Sequence, residues 1–253
     1  MQLENFLKAH PRAVIAFSGG VDSTWLLYTA VGAGTDVCAC FVQSPFQPAE
    51  AQERARALAE RIGTKLFVLT MNPLEDPCIC ANPPERCYLC KRMIFKHLLA
   101  FAAKQGIPAV FDGTNASDNP NDRPGMKALA ELGVLSPLRE AGLTKLEIRR
   151  RMREAGLPDW DRPSDSCLAT RVKTGQPLSL SLLQRIDRAE TVMATLGFSD
   201  LRIRVDGNAA RIELPDGQLE RAVAGRQAIL AALGAEFDMV SLNMKGRKTE
   251  ELP

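Results

Sequence analysis

The chain has 253 residues, 45% hydrophobic and 25% charged, which is long enough and apolar enough to bury a core without disulfide staples. At about 150 residues per domain, the length leaves one large domain or two unequal ones. Lys and Arg number 32 against 30 Asp and Glu, a net charge of +2 that argues against a strongly basic nucleic-acid binder, and the longest run free of these four residues is 13, too short to span a bilayer.

Short β-rich runs alternate with helical runs over the first two thirds. Ala13–Ser18 reads as a strand and Asp22–Val31 as a helix. Val37–Val42 is a strand, Pro48–Ile62 a helix opened by proline, and Lys65–Met71 a strand. Tyr88–Gln105 is a long amphipathic helix ended by Gly106. Pro108–Asp112 is a strand, Gly125–Leu132 a short helix, and Thr144–Ala155 a charged helix. This alternation predicts an α/β fold, a doubly wound and mostly parallel sheet with ligands at the carboxyl ends of its strands. After Pro163 a loop rich in Ser, Thr, Gly and Pro runs to about Pro177. Helix Ser181–Leu196, strands Leu201–Val205 and Ala210–Leu214, helix Gln218–Leu233 and strand Phe237–Leu242 then form a small α+β unit. The expected division is 1–175 and 176–253.

Seven cysteines occur, at 38, 40, 78, 80, 87, 90 and 167. The number is odd and the N-terminus lacks a basic stretch followed by an apolar one. Secretion and a disulfide scaffold are therefore not expected, a cytoplasmic placement is, and metal, redox or catalytic use of cysteine fits better. Cys38 and Cys40 lie in an apolar run and read as small buried strand residues. His10 and His97 fall outside every motif.

The strongest local signal is Ser18-Gly19-Gly20-Val21-Asp22-Ser23, directly after the first strand and opening a helix. Glycines let backbone approach an anion, and serine hydroxyls with free helix N–H groups can hold phosphate oxygens. The pattern is neither G-x-x-x-x-G-K-[ST] nor G-x-G-x-x-G. It resembles the PP-loop of the ATP-pyrophosphatase superfamily, whose adenine nucleotide alpha hydrolase-like domains cleave ATP between the α and β phosphates and adenylate a carboxylate or carbonyl. The resemblance implies that 1–175 is the ATP-pyrophosphatase domain, that Phe17, Ser18, Gly19, Gly20, Ser23, Gly113 and Arg123 bind ATP, and that Asp22 binds ATP and Mg²⁺.

Three further segments narrow the likeness. They are Asn82-Pro-Pro-Glu-Arg-Cys87-Tyr-Leu-Cys90-Lys, then Asp112-Gly-Thr-Asn115 with Arg123-Pro-Gly and Ser136-Pro-Leu-Arg139, then Arg162-Pro-Ser-Asp-Ser-Cys167-Leu-Ala-Thr-Arg171. In this order they closely resemble the LarE family of ATP-dependent sulfur transferases, over almost the whole chain. The resemblance implies adenylation of a carboxylate of pyridinium-3,5-biscarboxylic acid mononucleotide and its conversion to a thiocarboxylate, for the nickel-pincer cofactor of lactate racemase. Cys167 matches the cysteine that donates sulfur. In some members that cysteine is sacrificed. In others three cysteines hold a [4Fe-4S] cluster, for which Cys87, Cys90 and Cys167 are the candidates. Cys87 and Cys90 also fit a zinc half-site, a redox dithiol or inert helix positions, and Cys78 and Cys80 complicate the count. The family often has an acidic residue where Ser117 stands and an aromatic where Asp122 stands.

In the small unit, Arg202 and Arg204 sit two apart on a strand and so face one side. The resemblance makes them, with Glu190 and Arg171, the substrate site, the arginines gripping the mononucleotide phosphate. A solvated strand face with a Glu–Arg pair is the alternative. Arg162 and Arg171 are expected to lower the Cys167 pKa. The expected ligand is a small nucleotide-like acid, not nucleic acid or membrane. The resemblance also implies a homo-oligomer, with a hexamer as its candidate state, and transient contacts with proteins of the cofactor pathway. A PP-loop tRNA thiolase, an ammonia-dependent adenylating amidase and a non-catalytic nucleotide-binding regulator are the competing functions. Near-neutral charge disfavours the first, Cys167 has no role in the second, and Asp22 with Cys167 disfavours the third.

Overall fold

The structure, a computed structural model, describes residues 3–119, 125–249 and 252–253. Strands β1 (Arg12–Ala16), β2 (Asp36–Gln43), β3 (Leu66–Thr70) and β4 (Ala109–Phe111) form a parallel sheet in the order β3-β2-β1-β4. Side chains alternate along each strand, and both faces are apolar because both are covered. Ile15, Phe41 and Phe111 face a layer built by α1 (Leu3–Ala9), α2 (Val21–Gly32), α3 (Ala51–Ile62) and α8 (Lys145–Glu154), with Leu26, Leu58 and Ile148 in the core. Val14, Cys40 and Val110 face α5 (Arg86–Lys104) and α6 (Gly125–Glu131), where Leu98 and Leu129 pack. Cys40 is thus the buried strand residue the sequence predicts, its thiol pushed up to about 12 by burial.

The second sheet joins β5 (Arg202–Asp206), β6 (Ala209–Glu213) and β7 (Met239–Leu242) in that order, antiparallel then parallel. Helices α9 (Leu180–Thr195), α10 (Leu219–Ala224) and α11 (Arg226–Leu233) bury Ile186, Met193 and Ile229 against Ile203 and Ile212. This core reaches back to Phe46, Ile79 and Leu168. The first part of the chain therefore helps build it.

Several elements depart from the sequence reading. The helix expected over Gln218–Leu233 is two, because Gly225 (φ −86°, ψ 12°) leaves the helical region and caps α10. Pro48–Glu50 form a turn ahead of α3, with Ala51 N–H bonded to Pro48 O. The short helices α1, α4 (Pro77–Cys80) and α7 (Pro137–Glu140) were not expected. They have one or two turns, too few to show a period, and α4 is set by a local cap, Asp76 Oδ1 accepting from Cys78 N at 2.8 Å. Among the described residues no helix is long and apolar enough to cross a membrane.

Candidate active site

The sheet order reverses beside β1, so a crevice opens outside the carboxyl ends of β1 and β4. The glycine-rich loop lies there. Gly19 has φ +72°, and a Cβ on it would stand 3.1 Å from the Ala55 backbone in α3. Gly20 is the N-cap of α2 and supplies no side-chain cap. Backbone donors of the first turn therefore open on the loop. Ser18 Oγ lies 3.2 Å from Ser23 Oγ and accepts from Gly20 N at 3.3 Å, which brings the two hydroxyls together on the loop. Gly113, just past β4, closes the crevice, since a Cβ there would sit 3.2 Å from Ser23 N. Its neighbour Asp112 is buried and accepts from Ser136 Oγ at 2.6 Å and from Thr114 Oγ1. Phe17 is buried and continues the strand, its N–H bonded to Cys40 O. Arg123 and Asp122 lie outside the described residues.

Asp22 stands one residue into α2. Its Oδ2 accepts from Lys145 Nζ at 2.8 Å, while among the described residues its buried Oδ1 has no hydrogen bond of good geometry, the Asn115 amide lying near the carboxylate. Burial holds this carboxyl above its usual range; Lys145 opposes the effect and Asp118 adds to it. An orphaned hard oxygen at a phosphate loop fits a Mg²⁺ ligand. Lys145, at the start of α8, was not singled out from the sequence. It reaches Asp22 across 123 residues of chain, which no local pattern reveals.

The turn carrying Cys167 is seated at the same end of the sheet. Leu168 N bonds to Phe46 O at 2.8 Å, just beyond the end of β2. Arg54 of α3 pairs with Asp165, and Arg162 reaches Glu50 at 2.9 Å. The first turns of α3 thus hold the phosphate loop through Ala55 and the Cys167 segment through Glu50 and Arg54. Burial raises the Cys167 pKa, and the cation that opposes it most is Arg86. This corrects the expectation for Arg162 and Arg171. Arg162 is spent on Glu50 and Asp165, and Arg171 on the contacts below.

Arg171, nearly fully buried, forms a two-point pair with Glu190, both bonds 2.9 Å. It also donates to Ser166 O at 2.8 Å and Cys167 O at 3.3 Å, and Glu190 Oε1 accepts from Ile203 N at 2.8 Å. The pair therefore shapes the Cys167 turn and ties it to α9 and β5. Beside it a cavity of about 680 Å³ is lined by Arg171, Thr170, Lys173, Arg204, Arg211 and Ser241, among others. Arg204 and Arg211 are directly opposed across β5 and β6. Such like-charged pairs repel, and one carboxylate, Glu213, serves both, at 3.0 and 3.3 Å. Arg202 is not in this lining. It is buried and donates to Leu201 O and Ser164 O, both at 2.7 Å.

Cys87, Cys90 and Cys167 are brought into one neighbourhood. Cys90 is pushed up to about 12, chiefly by burial and then by the charges of Cys167 and Cys87. Burial thus disfavours the Cys90 thiolate. Among the described residues no group of three or more His, Cys, Asp or Glu is arranged to hold a metal ion. The three thiols supply donors suited to an iron–sulfur cluster without being drawn together as ligands of one ion would be. Cys78 is exposed, and Cys80 donates to Leu178 O at 3.0 Å.

A parallel sheet whose first strand runs into this glycine loop, faced by Gly113 and carrying Asp22 on the following helix, defines a PP-loop enzyme domain. The sequence model of the family described as "Thiamine biosynthesis protein (ThiI)" matches residues 9–174. The chain is 39% identical over 222 residues to an uncharacterized protein of Synechocystis sp., covering 87% of this chain and 83% of that one. It is 35% identical over 245 residues to pyridinium-3,5-bisthiocarboxylic acid mononucleotide synthase of Lactiplantibacillus plantarum, covering 95% and 88%. It is 30% identical over 233 residues to an uncharacterized protein of Methanocaldococcus jannaschii, covering 91% and 89%. The chain belongs to the LarE family of ATP-dependent sulfur transferases, within the ThiI-like PP-loop proteins.

Proposed function

We propose that the protein adenylates a carboxylate of pyridinium-3,5-biscarboxylic acid mononucleotide and converts it to a thiocarboxylate, supplying the nickel-pincer cofactor of lactate racemase. The observation that carries this reading is that α3 holds the phosphate loop and the Cys167 turn side by side. An activating site and a sulfur nucleophile then share one crevice. Phe17, Ser18, Gly19, Gly20, Ser23, Gly113 and Arg123 bind ATP, and Asp22 Oδ1 would hold Mg²⁺, whose charge would offset that of the leaving pyrophosphate. The substrate carboxylate attacks the α-phosphorus and expels pyrophosphate. The Cys167 thiolate attacks the acyl carbon and expels AMP, leaving a thioester. In the sacrificial route loss of the Cα proton then breaks the Cβ–S bond. The thiocarboxylate leaves with the sulfur and dehydroalanine remains. A [4Fe-4S] cluster held by Cys87, Cys90 and Cys167 would instead supply sulfide. Residues 1–175 and 176–253 are the two functional units, in a cytoplasmic homo-oligomer. The test is ATP–pyrophosphate exchange and AMP release with the acid, followed by mass analysis for the thiocarboxylate. An exchange that ignores the acid would sink the reading.

The cavity beside Arg171 and Glu190 takes the mononucleotide phosphate, with Arg204 and Arg211 as its arms, because two opposed guanidiniums sharing one carboxylate leave positive charge for an anion. Arg204→Ala or Arg211→Ala is expected to weaken use of the acid by about ten- to a hundredfold, the worth of a charge-assisted contact at ~1.5–3 kcal/mol, with ATP binding unchanged. Arg202→Ala is expected to lower the melting temperature instead, because it leaves two carbonyls without their donor. Equal losses for acid and ATP in the first two variants would point to misfolding and against the subsite.

Gly113→Ala tests the nucleotide site from its other wall. The new methyl would press on Ser23 N at 3.2 Å and shift the loop. ATP binding is expected to weaken by about tenfold, the effect of ~1–2 kcal/mol of overpacking, as read by calorimetric titration. Unchanged affinity would place the nucleotide elsewhere.

A further inference from the structure

Arg86 is buried, and among the described residues it pairs with no carboxylate. Its Nη1 donates to Asn82 Oδ1 at 2.8 Å and to Ala169 O at 2.7 Å, and its Nη2 to Cys87 Sγ at 3.4 Å. An uncompensated guanidinium is costly to bury. Arg171, equally buried, has Glu190; Arg86 has only dipoles and a sulfur. Asn82 is fully buried and held at φ +54°, a left-handed conformation that asparagine adopts more readily than most residues, just past the end of α4. Its Nδ2 donates to Lys173 O at 2.9 Å and Gln176 O at 3.1 Å, and its own carbonyl accepts from Gly175 N. Leu178 N bonds to Cys80 O, and Cys80 Sγ answers to Leu178 O. Residues 80–87 are therefore laced to residues 169–178, the stretch that follows Cys167.

We propose that Arg86 is a positioning residue for sulfur transfer: with Asn82 it locks the Cys167 turn against the Cys87 and Cys90 helix, and its free charge is the countercharge for anionic sulfur gathered there. The clamp needs a planar fork. One nitrogen of Arg86 serves the Asn82 and Ala169 oxygens while the other faces sulfur, which a single lysine ammonium does not reproduce. The inference rests on the sulfur-transfer reading for its coupling consequence and on geometry alone for its structural one.

The experiment compares wild type, Arg86→Gln and Arg86→Lys in two measurements. In amide hydrogen exchange, Arg86→Gln is expected to speed exchange in residues 168–178 while the phosphate loop stays as protected as in wild type. With ATP and the acid, Arg86→Gln is expected to catalyse ATP–pyrophosphate exchange at close to the wild-type rate. Its rate of thiocarboxylate formation is expected to fall about ten- to a hundredfold, the usual size of a lost supporting contact at a metal centre. Arg86→Lys keeps the buried charge, so it folds even if the glutamine variant does not, and it is expected to regain part of that rate. A wild-type rate of thiocarboxylate formation in Arg86→Gln would overturn the proposal, as would parallel losses of ATP–pyrophosphate exchange and thiocarboxylate in Arg86→Lys or unaltered amide exchange in residues 168–178. If wild type itself makes no thiocarboxylate, the function proposed above fails, while the exchange measurement still decides whether the clamp exists.

Discussion

Asp22→Asn is expected to fold as the wild type does and to form no measurable AMP. The fold survives because asparagine has the same shape and, among the described residues, Oδ1 has no hydrogen bond of good geometry to lose. The amide oxygen still accepts from Lys145, whose side chain is only 20% exposed. Burial already disfavours the ionised carboxyl, so a neutral replacement removes an unfavourable charge rather than a support. Chemistry is lost because the carboxylate is the one hard anionic oxygen on the phosphate loop. A metal ligand of this kind stabilises the departing pyrophosphate by several kcal/mol, or about a thousandfold or more in rate. Melting curves and pyrophosphate release, measured on the same preparation, separate the two claims. Wild-type pyrophosphate release from Asp22→Asn would end the assignment of the loop. A collapsed melting curve would show that the Asp22–Lys145 pair is part of the fold.

The same contrast explains what was legible in the sequence. A strand entering Gly19-Gly20 and leaving as a helix is a local event, written within six residues, and the structure places it at the carboxyl end of β1, as expected. The alternation of strand and helix runs implied a parallel sheet covered on both faces, and burial on two faces is why its strands read as nearly continuous apolar runs. Arg202 and Arg204 show the limit of such reading. Their spacing puts them on one side of β5, yet periodicity says nothing of what each guanidinium meets. Arg202 turns back on two carbonyls, while Arg204 and the unremarked Arg211 line the cavity. Lys145 and Arg86 escaped notice for another reason. Their partners lie 123 and 83 residues away, so their roles exist only once the chain is folded. The cysteines were legible by resemblance alone, since spacing fixes the Cys87 and Cys90 helix face but not its meeting with Cys167.

Cys167→Ser is expected to abolish thiocarboxylate formation while ATP–pyrophosphate exchange with the acid continues. Activation needs the phosphate loop and its metal, and Cys167 belongs to neither. Serine preserves the turn, because the contacts that hold it come from the backbone: Cys167 O accepts from Thr170 Oγ1 at 2.8 Å and from Arg171. What serine removes is sulfur at the point where both routes need it. In the sacrificial route the departing atom is Cys167 Sγ itself, and an oxygen there gives an ester at best. In the cluster route the thiolate is one of three protein ligands, and two remaining cysteines leave the centre incomplete. The Cys167 thiol resists ionisation because it is buried, and Arg86 is the main group that opposes this. The nucleophile is therefore formed where the clamp holds it, not free in solvent. Intact mass and iron content before and after one turnover of the wild type divide the routes. A protein lighter by one H₂S, with no iron, is the sacrificial outcome. Unchanged mass with iron retained is the cluster outcome. Continued sulfur transfer by Cys167→Ser would refute both, since one takes its sulfur from that residue and the other needs it as a cluster ligand.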